Sequence, residues 1–278
     1  MNEPPRERQS LATGFRNVDT SGDTGACTRC LDLIAGIPFF HKVKRDSIRI
    51  MADAGPKRVL DAGCGTGADL AALASCLPGS CEIAGLDASG ALLARAVKRT
   101  AGFQNRCLLV KGDILHAPFH DSAFGACRID RVLQHLHEPE RAIHELTRLL
   151  APGGVLVAFD NDWDTFSIEL DSAELAARIG RFWSGSFASG TVGRDLSRFF
   201  RECGLAVIHA EKRTLELTDL FVAEQVFDLP HLLERMEQAG ALETGERAAI
   251  RRELLHRDGE GTFASGYTGY LVWGRRPE

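Results

Sequence analysis

The segment Val59-Leu60-Asp61-Ala62-Gly63-Cys64-Gly65-Thr66-Gly67 runs from an apolar stretch into three glycines at alternate positions. Ala68-Asp69-Leu70-Ala71-Ala72-Leu73, rich in helix formers, follows at once. A buried strand, a glycine loop and a helix opening directly after it form the first half of a βαβ unit. Glycines take backbone conformations that other residues resist and let a ligand approach the main chain. The helix start adds unpaired N–H groups and a positive dipole end, suited to a carboxylate or phosphate.

The same alternation continues. Strand-like runs fall at Arg58–Gly63, Glu82–Asp87, Cys107–Lys111, Ala126–Ile129 and Val155–Phe159. Helical stretches are predicted at 38–53, 68–77, 89–101 and 138–150, the last stopped by Pro152-Gly153-Gly154. Alternating β and α elements with short apolar strands predict a parallel sheet wrapped by helices. Beyond residue 160 the rhythm breaks, with helices expected at 170–183 and 194–203 and strands at 205–217 and 268–275. The predicted organisation is an N-terminal arm (1–37), a Rossmann-like core (38–160), a cap segment (161–193), a return to the core (194–217), a helical cap insertion (218–260) and a final core strand (261–278). The insertion carries ten acids against five arginines, so the whole chain's net charge of −5 resides there.

Three acids fall at successive strand ends: Asp61 before the glycines, Asp87 in Gly85-Leu86-Asp87-Ala88-Ser89, and Asp113 in Lys111-Gly112-Asp113-Ile114. The carboxyl edge of a parallel sheet is where open α/β folds bind ligands. The spacing is G-x-G-x-G rather than the dinucleotide pattern G-x-G-x-x-G. Asp61 would repel a pyrophosphate but could hold an ammonium, and Asp87 could accept both hydroxyls of a ribose. The implied ligand is zwitterionic at one end, with a ribose and a base and without phosphates.

At these residues the chain resembles the class I S-adenosylmethionine-dependent methyltransferases. The resemblance spans about residues 40–215 plus the last strand. It rests on the Asp61–Gly67 loop, Asp87, Gly112-Asp113, Val132-Leu133-Gln134-His135-Leu136 and Leu149-Leu150-Ala151-Pro152-Gly153-Gly154. It implies an α/β, Rossmann-like seven-stranded sheet, mostly parallel with the last strand antiparallel, flanked by helices and here bearing a helical cap. It also implies that Gly63, Gly65 and Gly67, with Cys64, lie against the methionine part of S-adenosylmethionine. Asp87 and its neighbour Ala88 would hold the ribose, Asp113 the adenine amino group, and Ile114 would pack on the adenine face. Lys44 or Arg45 could reach the cofactor carboxylate. Arg128, inside the fourth strand, departs from the family pattern; it reads either as pointing to the edge of the cofactor pocket or as a residue with a buried stem and a solvated head.

Methyl transfer from a sulfonium needs alignment and exclusion of water more than acid–base help. Acceptor candidates sit after the fourth and fifth strands. His135 and Asp162 are the catalytic candidates, and Gln134, Trp163 and Phe187 the substrate-binding ones. Eight of the twenty aromatic residues lie between 159 and 200, whereas 41–102 has none. That asymmetry suits an apolar chamber for a hydrophobic small molecule, such as a natural product to be tailored. A quinone-type C-methyltransferase and a nicotinamide-dependent oxidoreductase stay open as alternatives, as does self-association into a homo-oligomer. The acidic balance and the lack of a basic stripe argue against nucleic acid and an anionic membrane surface as partners. No metal site is expected, since Cys27-Thr28-Arg29-Cys30 lacks a second ligand pair. Met1–Arg8 has no apolar signal-peptide core, and the expected compartment is the cytoplasm.

Overall fold

The computed structural model describes residues 18–20, 28, 31, 33, 34 and 36–278. Most of the expected N-terminal arm, including Cys27 and Cys30, lies outside the described residues. Seven strands form one sheet in the order β3-β2-β1-β4-β5-β7-β6. They are β1 (Arg58–Ala62), β2 (Glu82–Asp87), β3 (Cys107–Lys111), β4 (Phe124–Asp130), β5 (Leu150–Ile168), β6 (Ala206–Leu217) and β7 (Ser265–Arg275). β1 to β5 pair in parallel. β7 inserts between β5 and β6 and runs antiparallel to both.

Period-two alternation explains why the central strands are apolar throughout. Val59, Ala126, Val155 and Val157 point to one face, where they meet Val43 and Met51 of α1 (Pro38–Asp53) and Leu70 and Leu73 of α2 (Ala68–Cys76). Leu60, Cys127, Ile129 and Leu156 point to the other. There they pack on Ile143 and Leu146 of α4 (Pro139–Leu149) and on Leu196 and Phe200 of α6 (Val192–Glu202). α3 (Gly90–Thr100) completes the wrapping beside β2 and β3. In α4, Pro139 presets the first turn, and Ala142, Ile143, Leu146 and Leu149 form the buried stripe.

β5 departs most from expectation. It was predicted to end at Phe159, yet it runs 19 residues to Ile168, so the first part of the expected cap segment is sheet. The polar run Asp160-Asn161-Asp162 therefore lies within the strand. It is paired residue by residue with Tyr270, Gly269 and Thr268 of β7, and all three side chains are buried. The ladder satisfies the backbone, and ion pairs and hydrogen bonds described below engage the side chains, leaving only Asn161 Oδ1 of this run without a hydrogen-bond partner. The extended strand ends form a floor for a second apolar cluster. Its roof is α5 (Ala173–Ser184), α7 (Leu220–Phe227), α8 (Leu229–Gln238) and α9 (Glu246–Gly259). Among the described residues no helix is long and apolar enough to cross a membrane.

Candidate functional site

Strand order reverses between β1 and β4, and a cavity of ≈ 350 Å³ opens there at the carboxyl edge. Its near wall is the glycine loop. Gly63 has φ +74°, and a Cβ there would meet Val132 Cγ2 at 2.2 Å, so no other residue fits without moving the next loop. Gly65 (φ +53°) donates its N–H to Asp87 Oδ2 at 2.8 Å. Ser89 N–H donates to Asp87 Oδ1, also at 2.8 Å. Each carboxylate oxygen of Asp87 thus holds one backbone donor and keeps a lone pair for a further one. Burial pushes Asp87 upward, and the two N–H groups work against that.

The far rim is built by Asp113 and Ile114. Asp113 Oδ1 accepts from Leu115 N–H at 2.9 Å and caps a short 3-10 turn, Ile114–His116, while both residues line the cavity. The N-terminal part of the chain contributes Asp19. Its carboxylate accepts from Ser89 Oγ (2.5 Å), Gly90 N (2.9 Å), Ala91 N (3.2 Å) and Lys111 Nζ (3.1 Å), crowning the start of α3. The Ser89 hydroxyl, then the backbone donors, hold Asp19 well below the usual carboxylate range.

Beneath the glycine loop lies a buried charge cluster. Arg128 is 2% exposed, so it does not snorkel. Its guanidinium donates to Ser47 Oγ (3.0 Å) and Asp61 Oδ1 (2.9 Å), pairs with Asp69 (2.9 Å), and also contacts Asp130. Lys44 Nζ binds Asp69 at 2.7 Å, and Arg131 Nε binds Asp130 at 2.8 Å. Three cations therefore face three carboxylates, which is how so many charges tolerate burial. Burial pushes Asp61 up to about 6 although Arg128 opposes it. Burial would raise Asp69 too, but Arg128 and Lys44 together hold it below its ordinary value.

After β4 the chain turns at Arg131, a non-glycine residue at φ +55°. Its guanidinium lies 4.7 Å from the Phe40 ring centroid and lines the cavity. Burial opposes its charge and Asp130 more than offsets that. The turn Leu133–His135 follows. Gln134 N–H donates to Asp160 Oδ2 (3.2 Å), and Ser189 N–H donates to the Gln134 carbonyl (3.0 Å). Asp160, buried completely, is pushed up to about 7 by that burial, opposed by the Asn161 and Gln134 N–H groups. Behind His135 the cavity widens into an aromatic chamber. Trp163 stacks on Phe187 (5.0 Å, 17°), meets Trp183 edge-on (5.4 Å) and contacts Tyr267 (4.4 Å). His135 itself lies 5.9 Å from Phe187.

Residues 59–154 match a family described as a methyltransferase domain. The fold around them is the same type as that of N-methyltransferase NodS from Bradyrhizobium japonicum. That likeness has TM-score 0.54 at 17% identity and covers 88% of this chain and 91% of that one. Residues 59–154 are thus a methyltransferase-domain match set within a fold of that type. Among curated relatives, the chain is 34% identical over 222 residues to an uncharacterized 37.1 kDa protein in transposon TN4556 of Streptomyces fradiae, covering 79% of this chain and 63% of that one. It is 33% identical over 131 residues to demethylmenaquinone methyltransferase of Staphylococcus aureus, covering 46% of this chain and 53% of that one. The chain thus spans less than two thirds of either relative's length.

In this fold Gly63, Gly65, Asp87, Ala88, Asp113 and Ile114 come together on one wall, with Gln134, His135, Trp163 and Phe187 on the other. Six expected residues lie elsewhere. Asp61 is consumed by Arg128 below the loop and does not reach the cavity. Lys44 is held by Asp69, and Arg45 is exposed outside the wall. Cys64 turns into the core, where burial pushes its thiol up. Gly67 (φ +75°) opens α2 in the left-handed conformation, and a Cβ there would sit 2.9 Å from Ala96 Cβ, so it serves helix packing. Asp162 points away from the cavity and is gripped by Arg194, with Arg194 Nε at 2.7 Å from Oδ2. The pleat explains this last miss: Asn161 and Trp163 face the chamber, so Asp160 and Asp162 must face the other side. Sequence reasoning overlooked Asp19, Arg131 and Tyr267. Arg131 carried a signal, since it directly follows β4 at the same carboxyl edge, whereas nothing local marked Asp19 or Tyr267.

Proposed function

We propose that the chain is an S-adenosylmethionine-dependent methyltransferase acting on a hydrophobic small molecule. The observation carrying this reading is the continuity of one cavity from Asp87 and Asp113, past the bare backbone of Gly63, into the Trp163–Trp183–Phe187 chamber. When bound, the cofactor supplies a methyl group already activated on a sulfonium. The residues present fit it. The free lone pairs of Asp87 match two ribose hydroxyls, Ile114 offers an apolar face to a base, and Asp113 an acceptor to an exocyclic amine. Arg131 replaces Lys44 as the cation for the cofactor carboxylate, because it lines the cavity and Lys44 does not. Gly63 admits a ligand where any side chain would strike Val132.

The protein's remaining task is to align a nucleophile and exclude water. The aromatic chamber does both for an apolar acceptor, its walls being largely ring faces and edges. The relation to a demethylmenaquinone methyltransferase supports a quinone-like acceptor as a second reading beside a natural product. Incubation with S-adenosylmethionine carrying a radiolabelled methyl and a lipophilic cell extract tests the proposal. Label passing into organic-extractable small molecules supports it, with mass analysis separating quinones from other acceptors. No incorporation, or label only in protein or nucleic acid, refutes the acceptor class.

A further inference from the structure

The side-chain amide of Gln134 has all four of its hydrogen-bonding positions engaged by protein. Its Oε1 accepts from Trp163 Nε1 at 2.8 Å and from Asn161 Nδ2 at 3.0 Å. Its Nε2 lies 3.2 Å from His135 Nε2 and 3.4 Å from the Arg131 carbonyl. An amide offers two acceptor lone pairs and two N–H donors, so nothing is left over for a ligand. Gln134 lies on the cavity wall, yet it has no capacity to bind the acceptor that the sequence reading gave it.

The orientation of this amide follows from chemistry. An indole N–H can only donate, so the Gln134 atom facing Trp163 must be the oxygen. The NH2 end then faces His135, and a primary amide nitrogen is a donor without a useful lone pair. His135 Nε2 must therefore accept. A neutral imidazole that accepts at Nε2 carries its proton on Nδ1.

We propose that Gln134 is a positioning residue that, oriented by Trp163, holds His135 as the neutral imidazole protonated at Nδ1. In this state neither ring nitrogen can take a proton: Nδ1 already bears one, and the Nε2 lone pair faces the Gln134 N–H. Imidazolium formation would set two N–H donors head to head. The arrangement is also rigid, since the Gln134 backbone is tied at both ends to Asp160 and Ser189. Resting on the methyl-transfer reading, a consequence follows for the acceptor class. His135 is not the general base, so the acceptor presents a nucleophile whose lone pair is free at working pH, or loses its proton to water.

The test is a long-range 1H–15N correlation spectrum of the full chain labelled with 15N-histidine, without cofactor or acceptor. His135 signals are assigned by their loss in His135→Asn. The expected result is a single tautomer with a protonated Nδ1 and an accepting Nε2. Gln134→Glu keeps an oxygen facing Trp163 and Asn161 but offers His135 an acceptor, so the proton must appear on Nε2. A wild-type protein with the proton on Nε2, or a Gln134→Glu spectrum identical to wild type, overturns the proposal. If Gln134→Glu fails to fold, the double variant Trp163→Phe/Asn161→Ala removes both donors to the amide oxygen, and a second tautomer must then appear; a spectrum unchanged by that pair overturns it equally. Because no ligand is present, this result stands apart from success or failure of the methyl-transfer assay.

Discussion

Replacing Arg128 by methionine removes one buried cation and leaves three buried acids. Asp69 keeps Lys44, and Asp130 keeps Arg131, but Asp61 loses the cation that holds it. Deleting one partner of a buried pair costs about 3–5 kcal/mol, because the other charge stays desolvated. For a chain of 278 residues the unfolding entropy near the midpoint is about 0.6 kcal/mol/K, so Tm should fall by about 5–9 °C. The loss should depend on pH. Asp61 is already raised from 3.8 to about 6, and without Arg128 it rises further. A carboxyl raised in the folded state binds its proton more tightly there than when unfolded. Its penalty is therefore absent near pH 4, grows as pH rises, and is complete above the folded-state value. Scanning calorimetry should show the full deficit at pH 8 and a clearly smaller one at pH 5. The double variant Asp61→Asn/Arg128→Met should recover much of the loss, since it removes the stranded charge. A Tm within about 2 °C of wild type at pH 8, or a deficit equal at both pH values, would refute the reasoning.

Three further outcomes are expected. Asp87→Ala should weaken S-adenosylhomocysteine binding by about 2–4 kcal/mol, through loss of two charge-assisted hydrogen bonds; calorimetric titration checks this, and an unchanged Kd removes the ribose assignment. Arg131→Met should weaken the same ligand by about 1.5–3 kcal/mol, whereas Lys44→Met should leave its Kd within about threefold because Lys44 serves Asp69. Equal effects of the two would return the carboxylate to the α1 lysine. Gly63→Ala should lower stability by about 1–3 kcal/mol from strain at φ +74° and the Val132 contact, and adding Val132→Ala should restore part of it; a wild-type Tm for the single variant contradicts the close approach.

Much of the sheet was legible because its signals are local. Apolar runs of four to six residues bounded by glycine, proline and acid defined β1 to β4, and α4 carried a clean stripe between Pro139 and Leu149. The glycine loop and Asp87 were legible for the same reason, since strand, turn and helix follow within a few residues. What escaped depends on contacts distant in sequence. β5 continues past Phe159 because β7, more than a hundred residues later, supplies its partner. The roles of Asp61 and Lys44 changed because Arg128 and Asp69 claim them, and pairings of that kind leave no mark on spacing. Asp162 was the exception: strand alternation alone places it opposite Trp163, once the polar run is recognised as strand rather than loop. Asp19 reaches the site from 70 residues before Ser89, and no pattern around Val18-Asp19-Thr20 announces it.

On the proposed reading, the cavity between Asp87 and the aromatic chamber takes an adenosyl amino acid rather than a dinucleotide. Trp163 and Trp183 line that cavity, so a titration read by calorimetry and by tryptophan fluorescence addresses it directly. Saturable one-to-one binding of S-adenosylhomocysteine, competed by S-adenosylmethionine, with no heat or quenching from NAD at the same concentrations, is the predicted result. Saturable binding of NAD with none of S-adenosylhomocysteine would contradict the account.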